Sequence, residues 1–323
     1  MDSSRQHKKL QLNSDLGFLN QLDRFDILIP FIHLEKYLMM ELERRNIKVY
    51  YQHSRLLITA PVNERPIWAQ DWWPSCQILS DFSEAIDFLK SQKNLGIYYQ
   101  TESDNLSKRI QNRIKNIPLK RIDYKVPHPF NFKFYTYTTI QDQVLFCAQP
   151  FQRFPFGWHE FNEDKQTPPN RAYLKLWELL SVYNIVPSSG SKIIEIGASP
   201  GGWSWVLSQF AAEVHTFDRA PLDPKLNPIK NIHHHIGDAF KIPFEQYQQC
   251  DWFFSDLICT PEKLYETINL WMKHSRIQNY VCTIKFKGDC DFDIMNQFLQ
   301  IPGSRIIHLY QNKNEVTWIR TAE

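Results

Sequence analysis

Ile193-Ile-Glu-Ile-Gly-Ala-Ser-Pro-Gly-Gly-Trp203 is the stretch that decides how this chain reads. A largely apolar strand runs into a glycine-rich turn, and the helical run Trp203–Phe210 follows. An apolar strand of this kind belongs to a sheet covered on both faces. Gly197, Gly201 and Gly202 lack side chains, so a ligand can come against the backbone there. The helix behind the turn offers free N–H groups to a carboxylate. The run is not G-x-G-x-x-G, which argues against a nicotinamide dinucleotide. An ordinary strand-to-helix turn is the competing reading, and the spacing disfavours it.

Outward from the turn, strands and helices alternate. Strands are expected at Lys192–Ile196, Glu213–Phe217, Ile232–Ile236, Asp251–Ser255 and Asn279–Ile284, with helices at Pro261–His274 and Asp291–Leu299. Arg305–Tyr310 and Glu315–Arg320 read as closing strands. This alternation predicts a doubly wound α/β domain with a parallel sheet, whose ligands sit at the carboxyl ends of its strands. The charged residues at those ends are therefore the candidates. Asp218 closes the second strand, where a carboxylate can accept both hydroxyls of a ribose. Asp238-Ala239 follows the third, where an acid can reach an adenine amino group. Asp256 closes the fourth and Lys285 lies at the end of the fifth, so that acid and amine face one pocket. Lys175, flanking the apolar stripe of Tyr173, Leu176, Trp177 and Leu180, and Glu315, opening the last strand, can join them. Each alone is more often a solvated charge, a turn residue or a cap. A lysine acting as base must first lose its proton, which burial or a neighbouring cation favours. Lys287, two residues on, competes with Lys285 for that role. His233-His-His235 looks like a metal clump, but strand neighbours alternate faces, so no metal is expected there.

Lys175, Asp256, Lys285 and Glu315, in that order, resemble the Lys-Asp-Lys-Glu tetrad of ribose 2′-O-methyltransferases. The turn Gly197-Ala-Ser-Pro-Gly-Gly-Trp203 resembles the S-adenosylmethionine loop of their FtsJ-like group. The similarity runs from about Arg171 to Arg320 and is greatest to the RlmM type, which methylates a cytidine ribose of 23S ribosomal RNA. Ser199 stands where that type carries Cys, a change that leaves the backbone loop intact. The resemblance implies a Rossmann-like S-adenosylmethionine-dependent domain with a seven-stranded, mostly parallel sheet. It implies a cofactor held by Gly197, Ala198, Ser199, Pro200, Gly201, Gly202, Trp203, Asp218, Asp238, Ala239 and Asp256. The chemistry it implies is an in-line displacement. Lys285 takes the proton of the 2′-hydroxyl, Lys175 and Asp256 orient it, and Glu315 holds the hydroxyl or a lysine. The other readings are a 2′-O-methyltransferase of a tRNA or cap, and a non-catalytic RNA-binding or ribosome-assembly protein that keeps the fold.

The rest of the chain frames this. With 323 residues, 43% hydrophobic and 14% aromatic, it has material for two cores. A net charge of +2 excludes a strongly basic coat but not a local patch. Six scattered cysteines without C-x-x-C spacing suggest reduced thiols and a cytoplasmic protein. No leader and no membrane span are expected. Residues 1–22 read as a polar tail, 23–155 as an α+β domain, 156–170 as a linker and 171–323 as the α/β domain. The 23–155 region starts as βαββ: Arg24–Pro30, His33–Arg45, Lys48–Gln52 and Arg55–Thr59. Helices follow at Asp81–Lys90 and Asn105–Lys115, then strands at Lys120–Lys125, Asn131–Thr139 and Gln143–Cys147. Leu34-Glu-Lys36 with Glu41, and Trp68-Ala-Gln-Asp-Trp72, resemble the ferredoxin-like and THUMP parts that precede the catalytic domain in the RlmM type. RNA, in that type 23S rRNA or a large-subunit precursor, is the implied partner. Lys108, Arg109, Arg113, Lys115, Lys120, Arg121 and Lys125 form a candidate phosphate-binding patch. The aromatics of Phe151–Phe161 are placed either to stack on unpaired bases or to pack an interface.

Overall fold

The computed structural model describes residues 16–79, 81–101, 105–129 and 133–322. The chain forms two compact units. One takes the chain up to Lys120 and the stretch ending at Trp158; the other takes Arg121–Pro129 and His159 onward.

The first unit has β1 (Phe25–Pro30), α1 (Glu35–Arg44), β2 (Val49–His53), β3 (Leu56–Thr59), β4 (Ala69–Leu79), α2 (Phe82–Ser91), β5 (Leu95–Tyr98), α3 (Asn105–Gln111), β6 (Phe134–Ile140) and β7 (Gln143–Cys147). These strands make one sheet in the order β2-β3-β1-β4-β7-β6-β5. The β2-β3-β1-β4 half is antiparallel, with α1 as the crossover, a ferredoxin-like order without a helix between β3 and β4. Strand β4 is 11 residues long and joins the halves, pairing with β1 up to Cys76 and with β7 from Gln77. It was not expected, because Pro74 within a run demotes it as a strand. Here Ser75 has φ 54°, and the pairing changes partner at this irregularity. Buried acids staple the half-sheet. Asp26 accepts from Val62 N, Trp72 Nε1 and Ser75 N at 2.8–2.9 Å. Glu41 accepts from Ile67 N and Trp68 N at 2.9 and 3.1 Å. Asp71, pushed up to about 7 by burial, accepts from Trp73 Nε1 at 3.0 Å.

The second unit has α4 (Tyr173–Ser181), β8 (Lys192–Ile196), α5 (Gly202–Leu207), β9 (Glu213–Asp218), β10 (Ile232–Ile236), β11 (Trp252–Ser255), α6 (Pro261–His274), β12 (Asn279–Lys285), α7 (Phe292–Leu299), β13 (Ser304–Ile307) and β14 (Glu315–Arg320). Its sheet order is β10-β9-β8-β11-β12-β14-β13. The first five strands are parallel, and β14 and β13 are antiparallel. Pro261 at the first helical position and Thr260 accepting from Lys263 N start α6 where the sequence predicts.

Three expectations about boundaries change. Residues 16–22 are not a loose tail: Leu16 and Leu19 are buried in the core of the first unit, while 1–15 lie outside the described residues. Lys120–Lys125 is not a strand. It makes a single bridge, Ile122 to Phe161, and Tyr124 stacks on Trp177 at 4.3 Å, which carries 121–129 into the second unit. Nor is 156–170 a free linker, because His159 and Phe161 are buried in the second unit.

Candidate functional site

The sheet order reverses between β8 and β11, and this brings the site together. Ile196 pairs with Ser255, so the residues that follow, Gly197 and Asp256, leave the sheet side by side. Asp218 ends β9 on one flank and Lys285 ends β12 on the other. Strand β14 runs the opposite way, so its first residue, Glu315, pairs with Lys285 at the same edge. Helix α4 adds Lys175.

Four of the expected residues meet there. Lys175 Nζ lies 3.0 Å from Asp256 Oδ1 and 2.7 Å from Glu315 Oε1. Lys285 Nζ lies 3.0 Å from the same Oδ1 and donates to the Asp256 carbonyl at 2.7 Å. Burial alone would push the Lys175 ammonium down, but the carboxylates of Asp256 and Glu315 outweigh it and hold its pKa above the usual lysine value. Burial likewise pushes Asp256 up, and Lys175 and Lys285 outweigh it, leaving that carboxyl below its usual range. Glu315 thus holds a lysine. Lys287 lies past the end of β12, where strand alternation no longer applies, and is exposed outside the cluster.

Beside the cluster opens a cleft of about 460 Å³ lined by Gly197, Ser199, Asp218, Asp238, Ala239, Asp256 and Lys285, among others. Asp218 accepts from Ser199 N and Ala220 N, both at 3.0 Å, which ties the turn to the end of β9. Asp238 is held below the usual carboxylate range by the Phe240 N–H, with help from Arg219 at 3.0 Å. Asn170, Leu257, Ile258 and Phe240 also line the cleft, and the sequence singled out none of them. They lie in loops, where no period marks which side chains converge.

The turn itself is corrected in part. A Cβ on Gly197 would meet Leu257 Cα at 2.6 Å, one on Gly201 would run into Leu226 Cδ1, and one on Gly202 would run into Asn170 Oδ1. The glycines make room for the protein's own neighbours as much as for a ligand. Trp203, expected in the ligand set, is buried, donates from Nε1 to Ala172 O at 3.0 Å and packs edge-on to Phe254. Ala198 is also buried, and Pro200 is not among the lining residues.

Two buried acids that the sequence did not flag lie on the elements that carry the site. Glu195, on β8, accepts from Ser204 Oγ at 2.6 Å, and burial pushes it up to about 8. Glu178, on α4, lies 2.7 Å from His159 Nδ1. An apolar strand and an apolar stripe hide acids whose partners lie on other elements.

The residues of the candidate basic patch are divided between the two units. Lys108, Arg109, Arg113, Lys115 and Lys120 are exposed on the first unit, with Arg109 lying over the Phe82 ring at 4.0 Å. Arg121 and Lys125 belong to the second unit, where Arg121 pairs with Glu160 at 2.7 Å. Of the aromatics, Phe151 is exposed, stacked on Trp72 at 5.4 Å, while Phe154, Phe156 and Phe161 are buried. His233 and His235 stack with His215 on one face and His234 bonds Thr216 on the other. Among the described residues, no group of three or more His, Cys, Asp or Glu is placed to hold a metal ion. The six cysteines are free thiols. No helix among the described residues is long and apolar enough to cross a membrane.

A doubly wound sheet with a cleft at its switch point and a four-charge cluster on the rim defines a Rossmann-like methyltransferase domain. Residues 168–287 match the family model of the FtsJ-like methyltransferases, and the second unit carries an FtsJ-like methyltransferase domain. The chain is similar to ribosomal RNA large subunit methyltransferase M of Halorhodospira halophila (strain DSM 244 / SL1), 27% identical over 159 residues, covering 46% of each chain. It is 26% identical over 203 residues to the protein of that name from Aliivibrio salmonicida (strain LFI1238), covering 57% of this chain and 52% of the relative. The chain spans about half the length of the curated relatives it matches. Among solved structures it is similar to a Methanococcus jannaschii fibrillarin pre-rRNA processing protein, at 18% identity and a TM-score of 0.38, covering 57% of this chain and 80% of that one.

Proposed function

We propose that the chain transfers a methyl group from S-adenosylmethionine to a ribose 2′-hydroxyl of large-subunit ribosomal RNA, at a cytidine of 23S rRNA. The observation that carries this reading is the convergence of Lys175, Asp256, Lys285 and Glu315 on the rim of the cleft. The names of the relatives support the choice of RNA. The same reading includes a cytoplasmic site of action, where such a substrate is assembled.

The cleft suits the cofactor by its donor chemistry. Asp218 and Asp238, at the ends of β9 and β10, offer carboxylates to ribose hydroxyls and an adenine amino group, and Gly197 and Ser199 line the wall between them and Asp256. When bound, S-adenosylmethionine supplies a methyl carbon activated by its sulfonium. The chain's own residues handle the hydroxyl. Lys285 gives up its proton and then, as the neutral amine, takes that of the 2′-hydroxyl. Asp256 fixes both lysine amines from one carboxylate. Lys175, kept an ammonium by its two acids, stays charged and stabilises negative charge growing on the ribose oxygen. Glu315 holds Lys175 in place. Much of the rate then comes from positioning. The exposed basic residues Lys108, Arg109, Arg113, Lys115 and Lys120 are offered as phosphate contacts on the first unit.

The test is transfer of labelled methyl groups to rRNA and tRNA by the wild-type protein and by Lys285→Ala. Expected is ribose labelling of large-subunit rRNA that falls roughly 10²–10⁴-fold in the variant, the usual contribution of a general base. A wild type that binds the cofactor and labels no RNA, or a fully active Lys285→Ala, sinks the proposal.

A further inference from the structure

Glu178 lies one turn beyond Lys175 on α4, so the two side chains leave the helix close together. Its carboxylate is fully buried, and both oxygens are engaged. Oε1 accepts from His159 Nδ1 at 2.7 Å, and Oε2 accepts from Tyr310 N at 2.8 Å. His159 is itself 2% exposed. Tyr310 opens the turn that ends at Glu315, and that turn is internally braced. Asn312 N donates to Leu309 O at 3.0 Å, and Asn312 Nδ2 donates to Thr317 Oγ1 at 3.1 Å. Helix α4 and the start of β14 are therefore joined twice, by Glu178 on Tyr310 and by Lys175 on Glu315.

We propose that Glu178, seated by His159, is a positioning residue that sets the Lys175–Glu315 ion pair, and through Lys175 the orientation of Asp256. The proposal rests on the reading of these four residues as the catalytic group. A buried hydrogen-bonded polar group is a poor way to add stability, since an apolar residue of like size does as well or better, but its hydrogen bonds fix the register of the elements they join. Here the elements are those that carry two of the four charges. Glu178 touches no cleft-lining residue among the contacts described, so its effect is exerted through Lys175.

The test uses Glu178→Leu, which severs both bonds, and Glu178→Gln, whose amide oxygen still accepts from Tyr310 N and so keeps the fold. In the first arm, lysine amines of the cofactor-free protein are acylated competitively at fixed pH and the rates read by peptide mass. Lys175 reacts slowly in the wild type and at least fivefold faster in Glu178→Leu. Lys285 changes less than twofold, and Glu178→Gln falls between the wild type and Glu178→Leu. In the second arm, methyl transfer is followed in the folded variants. The turnover number falls tenfold or more in Glu178→Leu, while cofactor affinity and the KM for RNA stay within twofold, and Glu178→Gln restores most of the loss. A purely structural role would lower the melting temperature of both variants and leave Lys175 labelling and turnover per folded molecule unchanged; that result overturns the proposal. A wild type that labels no RNA would count against the methyltransferase reading alone, because the acylation arm is decided without activity.

Discussion

Each unit surrounds an aspartate with donors, and the two use them differently. Asp26, in the first unit, spends its carboxylate on two backbone N–H groups and an indole N–H of its own sheet, with Arg24 no nearer than 3.7 Å. Asp256, in the second, holds two ammonium groups at the rim of a cleft, each at 3.0 Å. The first arrangement closes hydrogen bonds that folding would otherwise leave open. The second leaves charge facing a space where a substrate can enter. The kind of partner an acid has, more than its burial, separates a staple from a working group.

The sharpest way to break this contrast is to remove both acids. Asp26→Ala strands three donors, each worth about 1–3 kcal/mol when left unsatisfied, so denaturant unfolding of the first unit should lose about 3 kcal/mol or more. Asp256→Ala should cost the second unit under about 2 kcal/mol, because Lys175 keeps Glu315 and Lys285 can turn toward water. The same variant should lose roughly 10²-fold or more in methyl transfer. Unfolding curves and initial rates on the two variants check both halves. Equal stability losses would erase the distinction.

Glu195 is an acid of the second unit that behaves like those of the first. It is buried under the turn with Ser204 Oγ on it, and its pKa of about 8 leaves it protonated at neutral pH. In the unfolded chain it titrates near ~4.3. Between these values the native state holds a proton that the unfolded state lacks. Its contribution to stability is therefore full below the unfolded pKa and shrinks as pH rises, by about 1.4 kcal/mol per unit, until it is spent near pH 8. Glu195→Gln mimics the protonated form and can still accept from Ser204. Chemical denaturation at pH 5.5 and 8.5 should show the variant losing less stability over that span than the wild type, a relative gain of about 1 kcal/mol or more at the higher pH. A parallel pH dependence in the two proteins would mean that Glu195 is already ionised at pH 7.

What could be read from the sequence follows from how local each signal is. Strands β8 and β14 and helix α6 match their expected limits because apolar runs, Pro261 and the Thr260 cap lie within a few residues of one another. Lys175, Asp256, Lys285 and Glu315 were legible because three sit at strand ends and one beside an apolar helical stripe, and a switch-point topology gathers such positions. Strand β4 was not, since Pro74 interrupts it and its pairing partners β1 and β7 are far away in sequence. The path of 121–129 depends on Tyr124 meeting Trp177, a contact no periodicity announces. Glu178 and Glu195 were hidden because an acid in an apolar pattern is marked as exposed until its partner is known. The turn's glycines were found for the right place and partly the wrong reason, as Leu257, Leu226 and Asn170 occupy the space their missing side chains leave.

The smallest effect expected separates Lys285 from Lys287. Two lysines two residues apart are equal candidates on a strand, where both would face the same way. The strand ends at Lys285, whose amine is drawn onto Asp256 Oδ1 and the Asp256 carbonyl, while Lys287 is exposed on the turn beyond. An exposed lysine without a fixed partner contributes under about 0.5 kcal/mol to most properties. Lys287→Ala should therefore keep its methyl-transfer rate within about twofold of the wild type, with cofactor affinity unchanged. A modest rise in the KM for RNA at low salt, vanishing as salt is raised, would mark Lys287 as a phosphate contact. A loss of turnover as large as that of Lys285→Ala would move the base to Lys287. It would also make the acid–amine contact at Asp256 a staple like Asp26, which is the outcome that would dissolve the contrast between the units.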